Sequence, residues 1–264
     1  VKGKFENCLK SIEKKDLVII ATPISKVVDA AKLAIKYGQD NILIEKPGSV
    51  NHRELLKLKN KIKKQNVRIA YNRLCYPSFH KLLECIKKDG GISSCKFSFT
   101  EIIDRIDFEK DLPEIYSKWG ISNSLHVISM AMELIGMPKK IIVKQWGELN
   151  WHKSGSIFVG CGISKKNIPF SYHSDWQGSG RWGIEVSTKK NLYQLVPLEK
   201  LYCCPKGKFN WSEITLNTAY SDLKTGVAEE ISMMLSNKKI KDEMISLSQG
   251  IEYNKLADKI FGYS

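Results

Sequence analysis

Lys46 is a charged side chain placed where α/β proteins bind ligands. It follows a short apolar run over residues 41–44 and precedes Pro47, which disfavours a helical backbone at the lysine. The sequence therefore predicts that Lys46 is held just past the carboxyl end of a strand. In open α/β sheets this edge is where ligands bind.

His126 is the second candidate, and it lies in a predicted helix within residues 119–138, which Gly136 and Pro138 end. Ser122, Asn123 or Ser124 is a suitable N-cap, which puts His126 in the first helical turn. The positive end of the helix dipole favours the neutral imidazole, as suits a histidine that accepts a proton near neutral pH. The alternative is that His126 only caps the helix or makes local hydrogen bonds.

A predicted strand–helix–strand unit positions Lys46. Residues 17–20 form the continuous apolar run expected of a strand buried on both faces of a parallel sheet. Apolar residues between Val27 and Ile35 then recur at helical spacing, and Gly38 suits the C-terminus of that helix. Residues 41–44 are the second strand.

The string ATP, the alanines of this helix and the string EKP resemble the nucleotide-binding domain of the Gfo/Idh/MocA oxidoreductases. The resemblance implies a Rossmann-like domain that binds NAD or NADP. It places Thr22, Pro23, Glu45, Lys46 and Asn72 at the cofactor. The alternative is that Glu45 and Lys46 are ordinary solvated charges at a strand end.

A further strand, predicted over residues 67–71, ends in Tyr71-Asn72-Arg73 ahead of Pro77. This resembles an element near the active-site cleft of the same family. Asn72 and Arg73 are suited to bind a sugar hydroxyl or a phosphate, and we expect Arg73 to contact the substrate. Alternatively, both side chains cap the strand end and contact only protein.

The family's helix carries a catalytic histidine, usually with an aspartate four residues earlier, and here that position is Ser122. The string SNSxHVI and residues 169–186 resemble a subset from bacterial lipopolysaccharide and capsule gene clusters. This resemblance implies substrate contacts by Asn123, Tyr172 and Arg181. The alternative for each aromatic residue is packing within the sheet.

We expect an α/β fold followed by an α+β fold, in two domains. Residues 1–73 form an incomplete Rossmann-like parallel sheet domain without its first βαβ unit, and residues 74–264 form an open, mostly antiparallel sheet domain with helices. No GxGxxG turn precedes the first clear strand, and the chain begins with Val1. We therefore expect an N-terminally truncated chain. Residues 177–180 carry a hairpin-turn signal, and residues 51–65, 225–235 and 241–261 are predicted helices.

The composition excludes several classes of protein. The net charge of +14 comes from lysines scattered along the chain without interleaved aromatic residues, so we expect no nucleic-acid binding. No apolar run could span a bilayer, and no signal peptide is visible. The seven cysteines show no zinc or disulfide pattern, and we expect a cytoplasmic protein without a metal site.

The resemblance to this family and subset implies an NAD(P)-dependent oxidoreductase that acts on a sugar or sugar nucleotide in surface polysaccharide biosynthesis. By the resemblance, His126 removes a proton from a substrate hydroxyl while Lys46 stabilises the same oxygen. The open sheet face predicts a homodimer or homotetramer. The alternative is a non-catalytic remnant, or an assembly subunit, of such an enzyme.

Overall fold

The computed structural model describes residues 2–217 and 222–263, and it divides into two compact units. Unit 1 comprises Val1–Tyr71 and Val227–Leu256, and unit 2 comprises Asn72–Gly226 and Ala257–Ser264. The prediction placed everything after residue 73 in the second domain, whereas Val227–Leu256 packs with the first 71 residues in unit 1. Long-range contacts decide it: the Asn41 side chain donates a hydrogen bond to the Met234 carbonyl oxygen over 3.0 Å.

Helices and strands follow one another in the order expected of an α/β part and an α+β part. The helices are α1 (Lys2–Ser11), α2 (Ile24–Lys36), α3 (His52–Lys59), α4 (Pro77–Asp89), α5 (Pro113–Ser117), α6 (Leu125–Ile135), α7 (Val227–Leu235), α8 (Lys238–Lys241) and α9 (Leu247–Phe261). The strands are β1 (Val18–Ile20), β2 (Asn41–Glu45), β3 (Asn66–Ala70), β4 (Ser94–Phe99), β5 (Pro138–Trp146), β6 (Ile157–Ser164), β7 (Pro169–Asp175), β8 (Trp182–Ser187), β9 (Asn191–Leu195), β10 (Tyr202–Pro205) and β11 (Ser212–Glu213).

Within the described part of unit 1, β1, β2 and β3 pair in parallel in that order. The predicted strand–helix–strand unit is confirmed, and β2 is the central strand with Ile42, Leu43 and Ile44 fully buried. The expected burial of β1 on both faces is wrong at Ile19, which is 48% exposed. β1 lies at the edge of this sheet, and the apolar run alone could not show which strand would be central.

Helix α3 is shorter than predicted. Asn51 caps it by accepting a hydrogen bond from the Arg53 amide, but the helix ends at Lys59 and leaves Ile62 outside. Lysines occupy positions 57, 59, 61, 63 and 64. Like charges three or four residues apart destabilise a helix, which explains why the apolar spacing does not extend it.

The sheet of unit 2 has eight strands among the described residues, in the order β11-β10-β9-β8-β4-β7-β6-β5. All neighbouring pairs are antiparallel except β4 and β7. The predicted open and mostly antiparallel sheet is therefore confirmed. Helix α6 packs against β4 and β8, and its residues are buried almost throughout.

The predicted hairpin at residues 177–180 is wrong, because β4 lies between β7 and β8 and pairs with both. The turn itself is real: the Asp175 carboxylate accepts hydrogen bonds from the amides of Gln177 and Gly178 at 2.9 and 3.0 Å. A local turn signal cannot reveal that an earlier strand is inserted between the two it connects.

The predicted start of the His126 helix is also wrong. Trp119 already has helical dihedral angles, and a π-helical turn over Gly120–Ser124 runs directly into α6. Ser124 is helical and makes no cap hydrogen bond. His126 therefore lies inside continuous helical structure, and its expected place in the first turn, with the dipole argument that depended on it, does not hold.

Gly120 is the first residue of this π turn, and the space around it has no room for a side chain. A Cβ atom on Gly120 would lie 2.3–2.5 Å from three ring atoms of Phe261, which is fully buried. Such a separation is far inside van der Waals contact, so the ring or the turn would have to move. The close approach explains why the helical segment can pack so tightly on the aromatic core.

We expect Gly120→Ala to lower the free energy of unfolding by about 1–3 kcal/mol through this overpacking. Urea unfolding followed by far-ultraviolet circular dichroism measures it. Ser117→Ala, at an exposed site on α5, is the control and should leave the midpoint nearly unchanged. An unchanged midpoint for Gly120→Ala would show that the Phe261 contact is not restrictive.

Candidate functional site

Trp182 brings together two of the predicted site residues within unit 2. The guanidinium carbon of Arg73 lies 4.8 Å from the centre of a Trp182 ring, within the range of a cation–π contact. The centres of the His126 and Trp182 rings are 5.9 Å apart, with the planes tilted by 47°. His126 is only 4% exposed, so its ring is held by packing rather than free in solvent.

Glu101 is a functional candidate that sequence reasoning missed. It is 6% exposed and follows β4 closely. One carboxylate oxygen accepts hydrogen bonds from the Ser124 hydroxyl at 2.5 Å and the Trp182 indole at 3.3 Å, and the other accepts from the Asn123 amide at 2.7 Å. A signal was present: apolar residues alternate over residues 94–100, as in a half-buried strand, and the acidic Glu101 follows directly.

Burial raises the pKa of Glu101, while hydrogen bonds led by those from Ser124 and Asn123 act in the opposite direction. A carboxylate taken out of water at such a cost usually has a specific task. Three side chains donate hydrogen bonds to this carboxyl group and partly offset the cost of its burial.

A cavity of about 250 Å³ opens beside this carboxylate. Its walls include Glu101, Arg105, Trp119, Asn123, Arg181 and Trp182. Carboxylates accept hydrogen bonds from hydroxyl groups, guanidinium groups bind anions, and indole rings offer apolar faces. Asn123 and Arg181, both predicted to contact substrate, thus line the same cavity, and the polar and aromatic side chains of that cavity are suited to bind a sugar.

Tyr172, also predicted to contact substrate, lies elsewhere. It is 2% exposed, and its ring packs 5.5 Å from Phe97 and 5.6 Å from Phe99. Its hydroxyl has no hydrogen-bond partner among the described residues. These contacts support the packing alternative for Tyr172, whose side chain is not among those that line the cavity.

Asn72 opens the 3-10 turn Asn72–Cys75, at the start of unit 2. A Cβ atom on Gly226 would lie 2.2 Å from the Asn72 carbonyl oxygen, and Gly226 has a positive φ of 82°. Only glycine permits this backbone approach. The turn that carries Asn72 and Arg73 is therefore held against residue 226.

In unit 1 the remaining predicted residues follow the carboxyl ends of neighbouring strands. Thr22 and Pro23 come after β1, Glu45 is the last residue of β2, and Lys46 follows it. Because β1 and β2 are parallel, both ends lie at the same edge of the sheet. The Thr22 hydroxyl oxygen is buried and has no hydrogen-bond partner among the described residues.

These groups fit part of a dinucleotide cofactor. The Thr22 hydroxyl can donate or accept a hydrogen bond, the Glu45 carboxylate can accept from ribose hydroxyls, and Lys46 carries positive charge. The spacing GxGxxG does occur in the chain, at Gly178, Gly180 and Gly183, but it joins β7 to β8. A phosphate-binding turn must open a helix, so this string is not one.

Glu230 on α7 is a second buried carboxyl group that the sequence did not reveal. It is 3% exposed, and its Oε1 atom has no hydrogen-bond partner among the described residues. Burial, with a smaller contribution from the charge of Glu45, raises the pKa of Glu230 to about 8. Because α7 is far from Glu45 in the chain, no local sequence pattern could have predicted that the charge of Glu45 acts on Glu230.

Comparison with solved structures shows the fold. The match to UDP-N-acetylglucosamine 3-dehydrogenase GnnA from Acidithiobacillus ferrooxidans covers 98% of this chain and 80% of the GnnA chain, with a TM-score of 0.71 and 14% sequence identity. An inositol dehydrogenase homolog from Azotobacter vinelandii, complexed with NADH and myo-inositol, matches 99% over 79%, with a TM-score of 0.74 and 11% identity. Levoglucosan dehydrogenase complexed with NADH and levoglucosan matches 98% over 80%, with a TM-score of 0.71 and 16% identity.

The chain therefore shares the two-domain fold of these solved structures. No family model and no curated protein matches the sequence. Over residues 2–217 and 222–263, no helix is long and apolar enough to cross a membrane. Over the same residues, no cluster of three or more histidine, cysteine or acidic side chains is placed to hold a metal ion.

The raised pKa of Glu230 predicts that the free energy of unfolding depends on pH. A carboxyl group whose folded pKa exceeds its unfolded value stabilises the fold fully below about pH 4.5, and this contribution is lost as the pH rises toward about 8. We expect Glu230→Gln to remove that pH dependence, worth roughly 2–4 kcal/mol over the interval. Urea unfolding between pH 5 and pH 8.5 measures it.

Glu243→Gln is the control, because Glu243 is an exposed carboxyl group of the same unit. In this variant, the free energy of unfolding should change with pH as it does in the unsubstituted protein. If Glu230→Gln shows the same change with pH, Glu230 does not titrate in this interval.

Proposed function

We propose that this protein is an NAD(P)-dependent oxidoreductase of the Gfo/Idh/MocA family, acting on a hydroxyl or ketone group of a sugar or sugar nucleotide. The observation that carries the proposal is the arrangement in unit 2, where His126 and Arg73 both contact Trp182 beside a polar cavity. The fold shared with sugar and polyol dehydrogenases supports it.

His126 is the proposed base. A neutral imidazole nitrogen accepts the proton of the substrate hydroxyl as the carbon beside it is oxidised. Its burial against Trp182 restricts the ring to few orientations, which favours proton transfer to one substrate atom. When bound, the nicotinamide cofactor supplies the acceptor or donor for hydride.

Lys46 is proposed to stabilise negative charge on the reacting oxygen, because an ammonium group lowers the cost of forming an alkoxide. Thr22, Pro23, Glu45 and Asn72 are proposed to bind the cofactor. The buried Thr22 hydroxyl supports this assignment, since a bound ligand would give it the hydrogen-bond partner that the described residues do not.

Arg73, Asn123 and Arg181 are proposed to bind the substrate. The Asn123 amide nitrogen is engaged by Glu101, so its carbonyl oxygen remains as the acceptor for a sugar hydroxyl. Arg181 is exposed in the cavity wall and is suited to a phosphate or carboxylate group of the substrate. A role in surface polysaccharide synthesis in the cytoplasm is proposed from the sequence resemblance.

The first test is binding of NADH and NADPH followed by tryptophan fluorescence. Turnover is then measured with NAD⁺ or NADP⁺ on UDP-N-acetylglucosamine, myo-inositol and levoglucosan. We expect His126→Gln to lower turnover by about 10²–10⁴ and to leave cofactor affinity unchanged, because only the proton transfer is lost. His80→Gln, at an exposed histidine, is the control. Full turnover by His126→Gln would remove His126 from the mechanism.

The second candidate is a non-catalytic remnant or an assembly subunit of such an enzyme. It is favoured by the position of the only GxGxxG string, which lies in the sheet of unit 2 rather than at the edge of the parallel sheet. Under this alternative, a folded sample binds neither NADH nor NADPH. Saturable cofactor binding would instead support the enzyme.

Self-association is proposed through the outer strands of the large sheet. Ile142, Trp146 and Ile163, on neighbouring strands β5 and β6, are 66%, 53% and 44% exposed. The strand pairing puts Ile142 opposite Cys161, two residues from Ile163, so these side chains share one face. An exposed apolar face on a sheet suits a second copy of the chain.

We expect Ile142→Lys to shift the protein toward monomer, because each contact would then bury an unpaired charge. Light scattering coupled to size-exclusion chromatography measures the mass. Leu235→Lys, at a similarly exposed leucine on α7, is the matched control and should leave the mass unchanged. An unsubstituted protein that is already monomeric would refute the proposed association.

A further inference from the structure

We propose that Glu101, acting through the π turn and Trp182, is the positioning residue for His126. The proposal rests on the proposed function, because it assigns the residue that orients the proposed base. It also predicts a structural effect on His126 that can be measured without substrate or cofactor.

Position 122 cannot supply a carboxylate. Its residue is Ser122, whose hydroxyl donates a hydrogen bond to the Trp119 carbonyl oxygen at 3.2 Å. This bond is local to the π turn. Within the described residues, the carboxyl group that contacts the turn ahead of His126 comes from another element.

Glu101 comes from the end of β4 and reaches the same π turn. Its carboxylate accepts hydrogen bonds from two consecutive residues of the turn, Asn123 and Ser124, at 2.7 and 2.5 Å. Ser124 is two residues before His126 in continuous helical structure. The carboxylate thus fixes the backbone segment that carries the histidine.

The second connection runs through Trp182. Its indole N–H donates to Glu101 at 3.3 Å, and this bond sets the orientation of the ring within its site. The same indole contacts both His126 and Arg73. The ring centres of His126 and Trp182 are 5.9 Å apart, and the Arg73 guanidinium carbon lies 4.8 Å from a Trp182 ring centre. The Glu101 carboxyl group therefore orients the Trp182 ring, and both the proposed base His126 and the proposed substrate-binding residue Arg73 pack against that ring.

The predicted effect on His126 is tested first by nuclear magnetic resonance with ¹³C- and ¹⁵N-labelled histidine. His126→Gln assigns the His126 signals among the five histidines. Glu101→Gln should displace the His126 ring resonances, because the Trp182 indole beside that ring loses its carboxyl acceptor. Trp182→Phe should displace them as well, since it removes the N–H donor but keeps an aromatic ring.

Glu185→Gln is the matched control. Glu185 lies on β8, the strand of Trp182, and its carboxylate accepts a hydrogen bond from Gln194. It should leave the His126 resonances in place. If Glu101→Gln does not fold, Trp182→Phe alone decides: unchanged His126 resonances in a folded Trp182→Phe or Glu101→Gln protein overturn the proposal.

The kinetic arm uses whichever of UDP-N-acetylglucosamine, myo-inositol or levoglucosan is turned over. Glu101→Gln and Trp182→Phe should each lower kcat by about 10–100-fold with little change in the KM for cofactor, and their combination should cost no more than the larger single effect. Fully additive losses would contradict a shared route to His126. A displaced His126 resonance without turnover of any substrate would support the positioning role and count against the proposed function.

Discussion

The buried carboxylate of Glu101 is the interaction on which the candidate site of unit 2 depends. It receives side-chain hydrogen bonds from the π turn ahead of α6 and from the first residue of β8, and it follows β4 itself. Three elements that are distant in sequence are thereby tied to one carboxyl group. Removing this group from the network leaves several donors without an acceptor, which costs more than the average hydrogen bond.

The π turn gives this network its geometry. A regular N-cap at Ser124 would direct the serine hydroxyl back to the helix amides, whereas the observed helical backbone leaves it to donate to Glu101. Gly120 makes the turn possible, because its missing side chain admits the ring of Phe261. The position of His126 is therefore decided by packing on the aromatic core together with a polar contact to β4. The turn accords with the general tendency of π bulges to occur at functional sites.

The candidate site residues of unit 1 are positioned in a different way. Its site residues follow the ends of parallel strands, where backbone geometry alone gathers them at one edge. The side chains of Glu45 and Lys46 are predictable from the chain because they come directly after an apolar strand. Glu230 is not predictable in this way, since it reaches the neighbourhood of Glu45 from a helix that follows nearly the whole of unit 2.

The sequence by itself determined the strand–helix–strand unit, the existence of α6, and the mostly antiparallel character of the second sheet. These features depend on apolar periodicity and on glycine and proline, which act over a few residues. It also named His126, Arg73, Asn123 and Arg181 as candidates.

Only the tertiary structure decided that β4 separates β7 from β8, that residues 227–256 group with the first 71, and that Trp182 and Glu101 join the candidates into one cluster. The physical reason is the same in each case. Strand insertion, domain grouping and burial of a charge are settled by contacts between residues tens of positions apart, and no local pattern of residue types encodes which distant partners will meet.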